Sequence, residues 1–370
     1  MPTTTTTTTT LAAVSPAQGQ PFTVQPRATP APGPGEVLLA VKSVALNPAD
    51  GHMRNTGLFI PAYPTVIGFD MAGLVLAAGA DVPAEFAPGT TRVAAYAAAA
   101  WRGCAPDYGA FQARCLVPWQ HCVVLPQGDG MSWNQAATLP VAAQVMLSAW
   151  DVLGVPRMGA AERRGARDGG GGKEALLVWG ASSSVGTMGV QGGRLLREEA
   201  GSGFAAVYAT AGPANHAYVR GLGADRVFDY RDPGVVQAIV AAAREDGLVI
   251  RRCFLATGQL SQCQAVLGAF VGEDGVAEAK IASAPIVPAD AGALQGVETV
   301  FLMPSTSEAE RLEQFRYWLG TWLKEKLAAG VIRPSPEPRV VGKDLGAINA
   351  AVDMVFQGVS CAKLVVEVEE

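Results

Sequence analysis

The sequence predicts an α/β protein of two domains, one β-rich and one built on a doubly wound parallel sheet. Three observations lead there. The chain has 370 residues, 49% hydrophobic and only 16% charged, enough for two cores and too apolar for a disordered chain. Up to about residue 130 its apolar segments are short and separated by turn residues, as β-strands are. From Ala175 onward such segments alternate with helix-length stretches, the rhythm of parallel strands joined by crossover helices.

Taken in order, Thr3 to Thr10 is an unbroken threonine run that leads into a first strand near Leu11 to Val14, threonine being β-branched. A proline-rich turn spans Pro26 to Pro34, and Glu36 to Val44 reads as a buried strand. Shorter strands follow near Gly73 to Ala77, Arg92 to Ala95 and Phe111 to Val117. Ser132-Trp133-Asn134-Gln135 has the spacing of a capping box, which predicts a helix start. Pro140 breaks that helix and begins another, to about Leu153. Arg157 to Lys173 is charged and contains Gly169 to Gly172, which predicts a flexible surface insertion.

The parallel part opens with strand Leu176–Trp179 and a helix to about Glu199. Strand Ala205–Thr210, a helix near Ala214–Leu222 and strand Arg226–Phe228 continue it. A second capping box, Ser307 with Glu310, starts a helix whose Leu312, Phe315, Leu319, Trp322 and Leu323 share one face. Gly330 marks its stop and Lys363 to Val368 is a last strand. The sequence has no internal repeat.

A formal net charge of −5 argues against nucleic-acid binding. No apolar run reaches the roughly 18 residues of a membrane span. The start of the chain lacks the charged-then-apolar pattern of a secretory signal. Six cysteines are too few for a disulfide scaffold of this length. A soluble, cytoplasmic protein with a small-molecule substrate is expected, monomeric, with a dimer as the alternative.

The sharpest motif is Leu176-Leu177-Val178-Trp179-Gly180-Ala181-Ser182-Ser183-Ser184-Val185-Gly186-Thr187-Met188-Gly189. A buried strand runs into a small-residue turn that opens a helix. Such a turn lets backbone N–H groups approach a pyrophosphate at the helix start. Against G-x-G-x-x-G, Ser184 replaces the first glycine while Gly186 and Gly189 match. Ser182, Ser183, Ser184, Val185 and Gly186 are the candidate phosphate contacts. The second strand ends in Ala209-Thr210-Ala211-Gly212-Pro213, without the carboxylate that holds a ribose 2′-hydroxyl. That absence removes repulsion against a 2′-phosphate, so NADPH is expected over NADH. Gly212, Pro213, Ala214, Asn215 and Arg220 are candidates there, with Arg220 equally readable as a solvated helix residue. Tyr230 either packs on the adenosine side or is a core aromatic.

With those residues in place, the chain resembles the medium-chain dehydrogenase/reductase superfamily. The resemblance is carried by Val44-Ala45-Leu46-Asn47-Pro48-Ala49-Asp50, Gly68-Phe69-Asp70-Met71-Ala72-Gly73 and Gly109-Ala110-Phe111. It extends through Ala136-Ala137-Thr138-Leu139-Pro140, the loop above, Leu222-Gly223-Ala224-Asp225 and Lys363-Leu364-Val365-Val366. It implies a GroES-like catalytic domain, residues 1–138 and 305–370, with a Rossmann domain, residues 139–304, inserted. Zinc members of that superfamily carry Cys where this chain has Asn47, and Gly-His-Glu where it has Gly68-Phe69-Asp70. No C-x-x-C pair is present, His52, His121 and His216 are scattered, and a zinc site needs three or four ligands. A metal-free enzyme is therefore expected, its cysteines buried apolar residues or unreactive thiols.

Within the superfamily the layout is similar to the fungal trans-acting enoyl reductases. That implies an acyl substrate carried on a polyketide synthase, and coenzyme contacts at Ala49, Asp50, Gly51, His52, Val359 and Ser360. A Lys commonly occupies the position of His52 in that group, and a Gly that of Cys361. Reducing an activated C=C bond needs a hydride, a proton and donors for the developing enolate. His52, Asn47 and Asp50 are the catalytic candidates: His52 as a group that titrates near neutrality or a surface histidine, Asn47 as a donor or a turn former, Asp50 as an orienting group or a helix cap. Met146, Leu147 and Trp150 are candidates for an apolar substrate channel or for core packing. A quinone or small-enone reductase, and a non-catalytic NADPH-binding partner protein, are the alternatives.

Overall fold

A computed structural model describes residues 8–128, 130–155, 173–199, 202–272 and 278–369. Nearly all of the expected insertion at 157–173 lies outside the described residues, as does the start of the threonine run. The chain divides into two compact units, Met1–Val141 with Ser305–Glu370, and Ala142–Pro304.

The first unit begins with β1 (Thr9–Val14), β2 (Thr23–Ala28) and β3 (Glu36–Ala45). Helix α1 (Pro48–Thr56) precedes β4 (Asp70–Ala78), β5 (Arg92–Tyr96), β6 (Arg114–Pro118) and β7 (Cys122–Val124). Short α2 (Trp133–Ala137) follows, then longer α3 (Pro140–Val152), which from Ala142 on belongs to the second unit. The second unit holds β8 (Glu174–Trp179), α4 (Ser184–Glu198), β9 (Phe204–Thr210), α5 (His216–Leu222), β10 (Arg226–Phe228) and α6 (Val235–Glu245). It continues with β11 (Val249–Leu255), α7 (Leu260–Gly268), β12 (Ala279–Ser283) and β13 (Val297–Phe301). Back in the first unit come α8 (Glu308–Phe315), a π-helical stretch Arg316–Leu323, α9 (Lys324–Ala328), β14 (Pro338–Gly342), α10 (Ile348–Phe356) and β15 (Lys363–Glu367).

The second unit is a six-stranded sheet in the order β10-β9-β8-β11-β12-β13, every pair parallel. Counted from β8, that is the 3-2-1-4-5-6 order of a doubly wound sheet, whose direction reverses beside β8. Its core packs Trp179, Tyr208, Ile239, Phe270 and Ile281 between sheet and helices. In the first unit β14-β15-β3-β4-β5-β7 form a sheet, and β6 pairs with β3. The last strand, β15, thus lies between β14 and β3, so both ends of the chain build one unit.

Two local expectations need correction. The proline-rich segment begins inside β2, where Pro26 pairs with Leu11 at the edge of a two-stranded ribbon; an edge position tolerates a residue without an N–H. The second capping box does not form: Ser307 makes no side-chain cap, and Glu310 instead accepts the Ser305 hydroxyl at 2.8 Å. On the face expected for that helix Phe315, Leu319, Trp322 and Leu323 are buried. Trp318 is fully buried and Leu312 only half-buried. Trp318 joins that face within the π stretch, whose wider turn changes the angle between successive side chains. Ser132 does form its capping box, accepting from the Gln135 N–H at 3.1 Å while Gln135 accepts from the Ser132 N–H at 3.0 Å.

Candidate active site

The first unit buries four polar side chains together. β3 runs into Asn47, whose extended backbone (φ −125°, ψ 152°) makes it the N-cap of α1, with Pro48 just inside the helix. The Asn47-to-Asp50 segment is therefore a helix start rather than a free turn. Asp50 Oδ2 accepts the Asn47 N–H at 2.7 Å. Lys363, at the start of β15, donates to Asn47 Oδ1 at 2.6 Å and to Asp70 Oδ2, on β4, at 3.0 Å. Asn47 Nδ2 donates to the same Asp70 oxygen at 3.0 Å and more weakly to the Ala45 carbonyl at 3.4 Å. Asp70 Oδ1 accepts the Val141 N–H, in the first turn of α3, at 2.8 Å.

None of the four is more than 6% exposed. A buried ion pair of this kind survives only when hydrogen bonds satisfy its remaining lone pairs, and those to Asn47 and Val141 do so for Asp70. Asp50 is less well served. Its Oδ1 is buried without a partner, and burial pushes its carboxyl up to about 7, against the Asn47 N–H and the Lys363 charge, which pull it down. Tyr96, opposite Asp70 on β5, has its phenol raised by burial and by the Asp70 charge. Both amide hydrogens of Asn47 are committed, so this side chain organises the cluster and has no donor to spare.

His52 lies exposed on α1, edge-on to the ring of Phe356 with centroids 5.1 Å apart. The same ring rests on Gly51, where a Cβ would stand 2.1 Å from it, so a side chain there would displace Phe356. Arg54 pairs with Asp353 and fastens α1 to α10. Ala49 is half-buried in the first turn of α1. Val359 and exposed Ser360 lie in the turn between α10 and β15. That turn holds Gly358 at φ 92° and Cys361 at φ 49°.

The second unit supplies a separate cradle. Gly180 ends β8 at φ 79° and donates to Thr210 Oγ1 at 3.0 Å. Ser183 is the N-cap of α4: its Oγ donates to the Gly180 carbonyl at 2.8 Å and accepts from the Gly186 N–H at 3.1 Å. A Cβ on Gly186 would stand 2.3 Å from the Gly180 carbonyl oxygen, and one on Gly189 2.7 Å from the Phe254 ring. These are the tight turn and the close helix–sheet packing that such a loop demands. Ser182 and Val185 are half-buried, no acidic residue stands in the first turn of α4, and Ser184 Oγ is buried without a partner. A fifteen-residue helix start with an unused hydroxyl and no acid fits a phosphate group.

At the end of β9, Gly212 is buried and Pro213 and Ala214 are exposed. Asn215 is half-buried, and Arg220 is exposed in the last turn of α5. The cation over Gly212 belongs to Arg231, whose guanidinium atoms lie 3.5–3.6 Å from the place of a Gly212 Cβ. Sequence reasoning missed it as a candidate. Tyr230 beside it is 38% exposed and so is not a core aromatic; the Arg231 guanidinium lies 5.2 Å from its ring centre.

Met146, Leu147 and Trp150 are buried on α3 in the second unit. Met146 Sδ stands 2.3 Å, and Trp150 Nε1 3.2 Å, from the place of a Gly192 Cβ on α4. Trp150 also meets Phe254 edge-on at 5.9 Å. Of the two roles expected for Met146 and Trp150, helix packing is the one this geometry supports. All six cysteines are free, five buried and Cys361 half-buried. Among the described residues no three His, Cys, Asp or Glu side chains are grouped to hold a metal. No helix among them is long and apolar enough to cross a membrane.

Residues 33–127 match the alcohol dehydrogenase GroES-like domain family. The chain is 38% identical over 357 residues to the trans-enoyl reductase tndF of Aspergillus flavipes, covering 96% of this chain and 98% of that protein. It is 40% identical over 306 residues to the trans-enoyl reductase tazE of Aspergillus terreus, covering 81% and 94%. Of solved structures, the CurK enoyl reductase superposes with a TM-score of 0.69 at 19% identity, over 98% of this chain and 99% of that one. The quinone oxidoreductase of Coxiella burnetii gives 0.65 at 19% identity, over 98% and 99%. At such identities the structural likeness is one of fold.

Proposed function

We propose that this chain, which belongs to the medium-chain dehydrogenase/reductase superfamily alongside the fungal trans-enoyl reductases, is an NADPH-dependent enoyl reductase acting on acyl chains carried by a polyketide synthase. The names and near full-length coverage of its relatives support the enoyl reductase reading. The observation that carries the coenzyme preference is the Arg231 guanidinium over Gly212, where no carboxylate ends β9. An arginine there offers a planar, permanently charged fork to a 2′-phosphate.

In this reading Met1–Val141 with Ser305–Glu370 is the catalytic unit and Ala142–Pro304 the coenzyme unit. The start of α4, with Ser184 Oγ, holds the pyrophosphate, and Arg231 with Tyr230 holds the adenosine end. A bound nicotinamide coenzyme supplies the hydride. The chain's own part is to orient the acyl group, stabilise the charge that develops on its carbonyl oxygen and deliver a proton to the α carbon. His52 is an exposed group on α1 able to donate. The buried Lys363–Asp70–Asn47–Asp50 cluster keeps the start of α1 rigid beneath it.

Titration of NADPH and NADH by fluorescence tests the coenzyme reading: NADPH binds more tightly, and Arg231→Ser removes most of the difference. Equal affinities in the wild type would overturn it. Turnover is assayed with an enoyl thioester, on which His52→Ala lowers turnover about 10²-fold if His52 donates in the transition state. An unaffected His52→Ala variant moves the proton donor elsewhere, and turnover of free quinones alone replaces the enoyl substrate.

A further inference from the structure

Tyr96, at the end of β5, pairs with Asp70 across the antiparallel ladder. Residues directly opposite in such a ladder point to the same face of the sheet. The phenol therefore stands beside the buried cluster that Asp70 forms with Lys363 and Asn47. Its ring is held by three others: Phe315 at 4.9 Å between centres, Phe69 at 5.6 Å and His121 at 6.0 Å. A phenylalanine would make all three contacts, so packing accounts for the ring and not for the hydroxyl.

A buried tyrosine normally gives its O–H to a partner, as Tyr208 does to Asp246, and Tyr108 to Glu36 at 2.8 Å. Among the described residues no acceptor takes the hydrogen of Tyr96. The oxygens of Asp70 are committed to Lys363, Asn47 and Val141. Burial and the Asp70 charge hold the phenol up, the Trp101 indole N–H pulls it down, and an indole only donates. Asp50 and Asp70 are fully enclosed, whereas Tyr96 keeps 7% of its surface open. Phe69 and Asn47 stand where zinc members of the superfamily carry His and Cys, ligand types of a metal that polarises a carbonyl oxygen. Phe69 offers no polar atom for that task, and both amide hydrogens of Asn47 are committed.

We infer that the Tyr96 hydroxyl donates a hydrogen bond to the carbonyl oxygen of the enoyl substrate and stabilises the charge that gathers there. This rests on the enoyl reductase reading. Hydride addition at the β carbon forms a C–H bond and sends the electron pair of the C=C bond through the α carbon to the carbonyl oxygen. Tyr96 shares its proton with that oxygen and keeps it. The pair then takes a proton at the α carbon from His52, and no further oxidant or reductant is consumed. A donor whose ring is already fixed by packing needs no reorganisation at the moment of reaction. Lys363 offsets the charge of Asp70, so this ion pair does not repel the developing anion.

The test compares the wild type with Tyr96→Phe in steady-state reduction of a crotonyl N-acetylcysteamine thioester by NADPH, and in thermal unfolding. Losing one donor to a developing oxyanion costs about 10²-fold or more in kcat. Tyr96→Phe lowers kcat to that extent, while KM and the NADPH dissociation constant stay within about threefold, as expected of an interaction made only in the transition state. The thermal midpoint does not fall, because the hydroxyl serves nothing inside the protein. A lower midpoint, or a Tyr96→Phe chain that does not fold, shows that the hydroxyl is bound within the protein and overturns the proposal. So does a kcat within about threefold of the wild type. A wild type that turns over no enoyl thioester overturns the enoyl reductase reading and this assignment with it, which separates the two failures.

Discussion

Lys363 holds its ammonium between Asp70 and Asn47 at 4% exposure. Removing one partner of a buried pair leaves the other charge uncompensated, at about 3–5 kcal/mol. Lys363→Met should therefore lower the urea midpoint sharply. Adding Asp70→Asn removes the stranded charge while keeping a side chain for Val141 and Asn47, and should recover part of the loss. A double variant no more stable than the single one would show that charge compensation is not the cause. Cys361 illustrates the opposite case. A left-handed backbone costs a residue with a Cβ about 1–2 kcal/mol, and Cys361 sits at φ 49°. Cys361→Gly should stabilise the chain by up to about 1 kcal/mol, read as a higher thermal midpoint. A lower midpoint would mean that the thiol's packing outweighs the relieved strain. The left-handed backbone gives a physical reason for the glycine that the resemblance implies at position 361. Lys363, by contrast, could not be paired in advance with Asn47, 316 residues away, because a strand-end lysine looks like a solvated one until the sheet is assembled.

The βαβ loop separates two kinds of glycine. A Cβ on Gly186 would stand 2.3 Å from a backbone carbonyl, and backbone cannot move aside. On Gly221, in α5, a Cβ would meet nothing within 4 Å. Gly186→Ala should cost about 1–3 kcal/mol of stability and weaken NADPH binding tenfold or more. Gly221→Ala should stabilise by up to about 1 kcal/mol through helix propensity. Calorimetric scans with and without NADPH distinguish the two, and a Gly186→Ala variant with wild-type affinity would contradict the cradle assigned to that loop. This element was legible because β8, its turn and α4 are contiguous and strongly patterned. α1 was not: Pro48-Ala-Asp-Gly-His52 is polar and contains glycine, and its helix rests on the Asp50 contact to the Asn47 N–H and on Phe356, 305 positions beyond Gly51. β11 was missed because Arg251 and Arg252 interrupt its apolar run, and Arg252 finds its partner, Glu174, only on neighbouring β8. Arg231 escaped notice because it reaches Gly212 from another strand's end.

For the whole molecule, two buried groups set opposing dependences on pH. Asp50 is raised from 3.8 to about 7, chiefly by burial. The folded chain therefore keeps a proton that the unfolded chain releases, and this contribution to stability, complete below pH 3.8, is lost as pH rises through 7. His121 is buried, stacked on Phe315 with ring centres 3.9 Å apart, and burial lowers it from 6.5 to about 3. Here the unfolded chain takes up the proton first, so stability is complete above pH 6.5 and is lost as pH falls toward 3. Between pH 4 and 6.5 the two slopes oppose, each at most about 1.4 kcal/mol per pH unit, and these two groups together leave stability nearly level. Single substitutions should expose each slope. The stability of Asp50→Asn relative to wild type should grow as pH rises from 4 to 7, because the wild type alone then loses the Asp50 contribution. That of His121→Gln should grow as pH falls from 6.5 to 4, because the wild type alone then loses the contribution of its neutral imidazole. Urea unfolding at pH 4.5, 5.5 and 6.5 reads both differences directly. A stability difference for Asp50→Asn that stays constant across the three would mean that Lys363 holds the Asp50 carboxylate ionised throughout.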